Sequence, residues 1–257
     1  MTVLPLEKVQ EHQGVRLVYD KLMSTYKDGR GVHAETILNA VGALAGFAAQ
    51  QAVWKVLIEP ERRNPGDYLV MVQTKSDERF YFGESINLVL TYDQGKRLSF
   101  WYFVLGAVGN ADPESLDLTD IFRNTAATVG SELFALPRLP DKHLPHELPR
   151  KALQRQWQHI QPLLEKAGGS PIQWPALLGV VASILIRQTA SVLEPATAAR
   201  ILMESAIPMS KVNPQTVPGS TSGIRPIDKW SGRASEETAA ETIFKEVRKV
   251  LPTAMTS

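Results

Sequence analysis

His33-Ala-Glu35-Thr-Ile-Leu-Asn39-Ala-Val-Gly42-Ala-Leu-Ala-Gly46-Phe-Ala-Ala-Gln50-Gln-Ala-Val-Trp54-Lys-Val-Leu-Ile58 is the stretch whose reading decides the fold. It contains no proline and is apolar on nearly every side, which predicts one long buried helix from about His33 to Ile58. Gly42 and Gly46, four apart, share a face with Ala residues around them, so a second backbone can cross closely there. Each interior glycine costs about 1 kcal/mol relative to alanine, and close packing must offset it. Asn39, Gln50 and Gln51 interrupt the apolar surface, so a core helix is expected rather than a membrane span. The runs 98–108 and 175–186 are too short for the roughly 20 residues a span requires.

Before this helix, Val15, Val18, Tyr19, Leu22, Met23 and Tyr26 mark one face of an amphipathic helix that Lys27-Asp-Gly-Arg-Gly31 ends. After it, residues 59–67 form a Pro/Asn/Gly loop, and the period then changes. Residues 68–74 and 79–82 are β-branched and aromatic about a polar 75–78, which predicts a β-hairpin near residues 68–82. Residues 85–92 are read as a short helix leading through a turn to Ser99, although their alternation also fits a strand. Phe100-Trp-Tyr-Phe103 cannot face one side of a helix, so that element must be covered on two sides.

Leu118, Ile121, Phe122, Val129 and Leu133 predict a helix capped by Asp117 or Thr119. Residues 136–149 hold prolines at 137, 140, 145 and 149 and cannot be helical; an internal boundary is possible there. Leu153, Trp157, Ile160 and Leu164 predict a helix that Pro162 kinks or ends. The apolar run 174–193 should be central, and Glu194-Pro195 opens a helix that stops before Pro208. Residues 209–232 form a long irregular loop, and residues 235–251 have the capping and charge pattern of an amphipathic helix. The expectation is a mainly α fold of about eight to ten helices with one small hairpin, a single domain over 1–257.

Composition removes several functions. The chain has no cysteine, which excludes disulfides, cysteine-ligated metals and thiol nucleophiles. Its 28 basic and 27 acidic residues nearly cancel, which argues against nucleic-acid binding. Only residues 138–166 are locally basic, with six Lys/Arg against three Asp/Glu, and that reads as a solvated face. The start, Met1-Thr-Val-Leu-Pro-Leu-Glu-Lys, lacks a basic segment before an apolar core, so no secretory signal is expected and a cytoplasmic location follows.

Chemistry is concentrated at His33 and Glu35. Two apart, they do not share a helix face, but they converge if His33 is the cap and Glu35 lies in the first turn. His33 is then a candidate acid/base, with Glu35 as catalytic partner and Asn39, one turn on, as a ligand-binding group. Arg187, closing an apolar run, is a second ligand-binding candidate, or it pairs internally with Glu35 or Glu84, or, most simply, it marks where the helix emerges into water. Arg225, after Gly219-Ser-Thr-Ser-Gly223, is a third, although the Walker spacing is absent. His143 and His146 form an HxxH pair, but Pro145 and Pro149 prevent the helix that would align them, so no metal site is assigned. No cofactor is expected.

Two functions follow. The first is a self-associating interaction or structural subunit, a homo-oligomer formed through the Gly42/Gly46 stripe and the aromatic run 100–103. The alternative is a small-molecule-binding protein or enzyme with a polar pocket around His33 and Glu35, covered by the 209–232 loop.

Overall fold

A computed structural model describes residues 13–60, 64–92, 99–109, 116–167 and 170–220. Among these residues the fold is mainly helical, with eight α-helices and two small antiparallel strand pairs. The helices are α1 (Gln13–Tyr26), α2 (Ala34–Val53), α3 (Glu84–Thr91), α4 (Phe100–Val108), α5 (Leu118–Thr128), α6 (Pro149–Lys166), α7 (Trp174–Thr189) and α8 (Pro195–Met209). Strands β1 (Lys27–Asp28) and β2 (Gly31–Val32) pair as a two-residue ribbon. The larger hairpin joins β3 (Val70–Gln73) to β4 (Arg79–Phe82), with Val70 opposite Phe82 and Val72 opposite Phe80.

The long small-residue helix is the axis of the core. From Thr36 to Val53 every residue of α2 is buried, and a π-helical turn, Trp54–Ile58, extends it. Together these residues are long and apolar enough to cross a membrane, but 89% of the qualifying window is buried inside the fold. Helix α8 crosses α2 at the two glycines. A Cβ added to Gly42 would stand 2.3 Å from the Leu202 carbonyl oxygen, and one on Gly46 would stand 1.9 Å from that of Ala206. The stripe is therefore spent on an internal crossing, where backbones approach closer than any side chain permits.

The aromatic run is also internal. Phe100 and Trp101 are buried, and Phe103 lies against Gly179 of α7, so α4 is covered on two sides as its sequence requires. Tyr81 meets Trp54 edge-on with ring centroids 5.5 Å apart, fixing one face of the hairpin to the end of α2. The other face carries Phe80, which meets Phe134 at 4.8 Å. The backbone N–H of Tyr81 donates to the Lys211 carbonyl (2.8 Å), and Phe80 bridges to Val212, so the chain after α8 runs beside β4.

Three boundaries differ from expectation. Asp117 caps α5, as one of the two expected caps, through its carboxylate accepting from Asp120 N–H (3.0 Å). That helix ends at Thr128, not Leu133, because Gly130 takes a positive φ of 76° and turns the chain. Pro162 does not end α6, which continues through it to Lys166; it lies on the exposed face, where water can satisfy the carbonyl it leaves unpaired. Pro208 sits within the last turn of α8, one residue before its end. The predicted helix 235–251 lies outside the described residues.

Candidate functional site

The site is assembled where the start of α2 meets the proline-rich segment. The Lys27–Val32 ribbon turns the chain so that His33 precedes α2 in an extended conformation, with Glu35 in its first turn. The two side chains do converge: His33 Nε2 lies 3.4 Å from Glu35 Oε2. The other carboxylate oxygen, Oε1, accepts from His143 Nδ1 at 3.0 Å. The ring of His146 stacks on that of His33, with centroids 3.8 Å apart and planes inclined by 18°.

Thr36 ties these groups together. Its Oγ1 accepts from the backbone N–H of His146 (3.0 Å) and lies 2.8 Å from His33 Nδ1. The network assigns the tautomers. A carboxylate only accepts, so His33 presents Nε2–H and His143 presents Nδ1–H to Glu35. His33 Nδ1 is then the acceptor for the Thr36 hydroxyl. His143 is left with its lone pair on Nε2, which has no hydrogen-bond partner among the described residues.

Electrostatics support this protonation pattern. Burial pushes the Glu35 carboxyl up, but the His143 hydrogen bond, the residue's own backbone N–H and the two imidazoles outweigh it and hold it below its ordinary value. Burial pushes His33 down and the adjacent His146 adds to this, while Glu35 opposes both; the net direction is down. The shift thus favours the neutral form of His33 and the carboxylate form of Glu35.

Behind the imidazoles lies a second polar layer. Asn39 is fully buried, donates Nδ2–H to the Glu147 carbonyl (2.9 Å) and accepts from Ser205 Oγ on α8 (2.8 Å). Both ends of its amide are bonded within the protein, so Asn39 positions the proline-rich segment. Glu147 Oε2 accepts from the Tyr26 hydroxyl (3.0 Å) and pairs with Arg155 (2.7 Å), whose guanidinium lies over the Tyr26 ring. Burial raises the Tyr26 phenol.

The remaining sequence candidates lie elsewhere. Arg187 is exposed at the end of α7, and Arg225 falls outside the described residues. The described part of the 209–232 loop, residues 209–220, lies at the opposite end of α2 from His33. There Gln50 Nε2 donates to the carbonyls of Ser210 (3.1 Å) and Val212 (2.9 Å). What covers Glu35 is instead the segment 141–147. Sequence reasoning named His143 and His146 only as an HxxH pair and did not connect them to Glu35, 108 residues away. Among the described residues no group of three or more His, Asp or Glu side chains can hold a metal ion. The inward-facing imidazole nitrogens are directed at separate oxygens of one carboxylate rather than at a common point. Compared with protein families, curated proteins and solved structures, the chain matches none.

Proposed function

We propose that the chain binds a small molecule at the His33–Glu35–His143 cluster and exchanges a proton with it through His143 Nε2. The observation that supports this most is the ionised Glu35 on His143 Nδ1. A carboxylate there fixes the ring's tautomer and orientation, and it stabilises the imidazolium formed when Nε2 takes a proton. His33 and Thr36 hold the other side of Glu35, and Asn39 anchors the segment that carries His143. In this reading His143 takes the acid/base role first expected of His33, Glu35 orients it, and Asn39 positions the segment instead of binding the ligand.

The test is a screen of small polar fragments against the isotope-labelled protein, read by amide chemical shifts. Fragments should perturb Thr36, His143 and His146, and His143→Gln should abolish the effect. Glu35→Gln should weaken the fragment-induced shifts by removing the carboxylate that orients the His143 ring. Perturbations elsewhere only, or ones that survive His143→Gln, refute the proposal.

Self-association remains a second reading, supported by a different surface from the one the sequence suggested. Val70 and Val72, at 53% and 37% exposure, share a face of β3, whose outer edge has no strand partner among the described residues. A homodimer through this edge should be visible by light scattering at tens of micromolar and lost in Val70→Lys. A strictly monomeric wild type refutes it.

A further inference from the structure

Residues 141–148 are held to the fold without apolar burial. None of them is buried, and Leu144 and Leu148 are exposed at 41% and 44%. The segment is fixed at both ends. Before it, Arg138 pairs with Asp120 (2.8 Å) and Glu204 (3.1 Å); after it, the buried Pro149 opens α6. Between those points no buried apolar side chain opposes release, so the segment is a unit whose local opening leaves the core intact. Its attachment to α2 depends on the charge state of the groups that clasp it.

Three imidazoles and one carboxylate meet at that contact. His33 precedes α2, His143 and His146 belong to the segment, and Glu35 accepts from both His33 and His143. With the rings neutral, these bonds and the His33–His146 stack at 3.8 Å hold together. Protonation changes the contact at three points. Two charged rings 3.8 Å apart repel, and the repulsion acts across the join between α2 and the segment. His33 also occupies the N-cap of a 20-residue helix, where the positive end of the helix dipole disfavours a cation. A protonated His33 Nδ1 becomes a donor and no longer accepts the proton of the Thr36 hydroxyl, the group that also receives His146 N–H. One carboxylate, Glu35, then faces three imidazoliums.

The other charged groups around the clasp are paired or exposed. Glu147 pairs with Arg155 of α6 and accepts from Tyr26 of α1. Asp141 and Lys142 are exposed and opposite in sign. On the β1–β2 ribbon, Lys27, Asp28 and Arg30 are exposed, with Arg30 4.0 Å from Asp28. Burial, with His146 beside it, holds His33 below its ordinary 6.5 against the pull of Glu35. A group held down in the closed form favours that form while neutral, and the contribution is lost as pH falls below the ordinary value.

We propose that the His33–His146 stack is an acid-sensitive latch: when both rings are protonated, residues 141–148 swing away from α2 between Arg138 and Pro149, and the Glu35–His143 pair comes apart. The latch governs the site proposed above, because it carries His143, but it rests on the geometry of the clasp and needs no ligand. Closed at neutral pH, it aligns His143 with Glu35; open in acid, it separates them.

Amide hydrogen exchange of the isotope-labelled full chain, measured by NMR with the pH dependence of the chemical rate divided out, tests this. The reporter is the His146 N–H, bonded to Thr36 Oγ1. Its protection should fall about tenfold or more from pH 7.5 to pH 5, the scale of one linked proton, while the core amides of α2 keep theirs. His146→Phe keeps a ring on the stack without a charge, and His33→Asn supplies an uncharged cap; in each, protection at pH 5 should equal that at pH 7.5. In wild type at pH 5, about 0.5 M salt should restore part of the protection by screening the repulsion. Constant protection in wild type overturns the proposal, as does a fall that survives either substitution or deepens in salt. No fragment is used, so this test and the fragment screen fail independently.

Discussion

Gly46→Ala is the sharpest probe of the α2–α8 crossing. The added Cβ would stand 1.9 Å from the Ala206 carbonyl oxygen, 2.7 Å from its carbonyl carbon and 2.9 Å from its Cα. An ordinary carbon–oxygen contact is about 3.4 Å, so the helices must part by more than an ångström or the helix must bend. All three atoms are backbone, so no side-chain rotation relieves the clash. Overpacking of a core typically costs about 1–3 kcal/mol, and this one lies at or beyond the upper end. The propensity gain of Gly→Ala returns about 1 kcal/mol, leaving a net loss of about 2–3 kcal/mol. For a chain of this size that corresponds to roughly 5–10 °C in Tm. Gly106→Ala is the control: it lies within α4, and a Cβ there meets nothing within 4 Å. It should stabilise by about 0.5–1 kcal/mol. Urea unfolding followed by circular dichroism measures both. If Gly46→Ala falls within about 0.5 kcal/mol of wild type, the close crossing is wrong.

Two further substitutions probe buried charge. Glu204 on α8, whose side chain is 2% exposed, pairs with Arg138 (3.1 Å), which also holds Asp120 (2.8 Å), and more loosely with Arg200 (3.7 Å). Burial raises the Glu204 carboxyl and Arg138 lowers it, so Arg138→Met should raise it further and cost about 3 kcal/mol at pH 7. A raised folded-state value makes that loss smaller as pH falls, so urea midpoints of variant and wild type should lie closer at pH 5 than at pH 7; a pH-independent gap refutes the pairing. Lys211 has the opposite sign. Its folded value, about 7, lies below its ordinary 10.5, so stability is lost as pH falls from about 10 to 7 and is flat below. Relative to Lys211→Met, wild type should gain about 1.4 kcal/mol per pH unit between pH 8 and 9.5 in denaturant titrations. Parallel curves for the two proteins rule out a neutral buried amine.

The helices were legible because each carries its own period, and the hairpin because its alternation and polar turn are local. The 85–92 ambiguity is settled by tertiary context. Residues 84–91 form α3, with Ile86, Val89 and Leu90 on its buried side and Tyr92 following its last turn. Half of the candidate site was equally local: His33 and Glu35 are two residues apart, and the N-terminal turn alone brings them together. His143 was not legible as their partner, because no periodicity links residues 108 apart. The sole signal was indirect. A proline-rich segment carrying two histidines and a glutamate has no apolar pattern to bury, so polar groups must fasten it to whatever it crosses. Arg187 is exposed at the end of its helix, in keeping with the plainer reading of a charge after an apolar run as the point where a helix emerges into water.

The same fastening explains why the site and the fold are hard to disentangle, and how to do so. The segment 141–147 is held to α2 by Glu35–His143, Thr36–His146, Asn39–Glu147 and the His33–His146 stack. A purely structural clasp needs the His143 ring only as a donor to Glu35, and any ring protonation that keeps Nδ1–H serves equally. Proton exchange with a ligand needs more, a lone pair on Nε2 that the clasp leaves unused. A His143→Asn substitution keeps a short side-chain N–H donor but removes the distal nitrogen. If stability is retained while fragment binding is lost, the unused nitrogen is the functional group. If both are retained, the cluster is a clasp and nothing more.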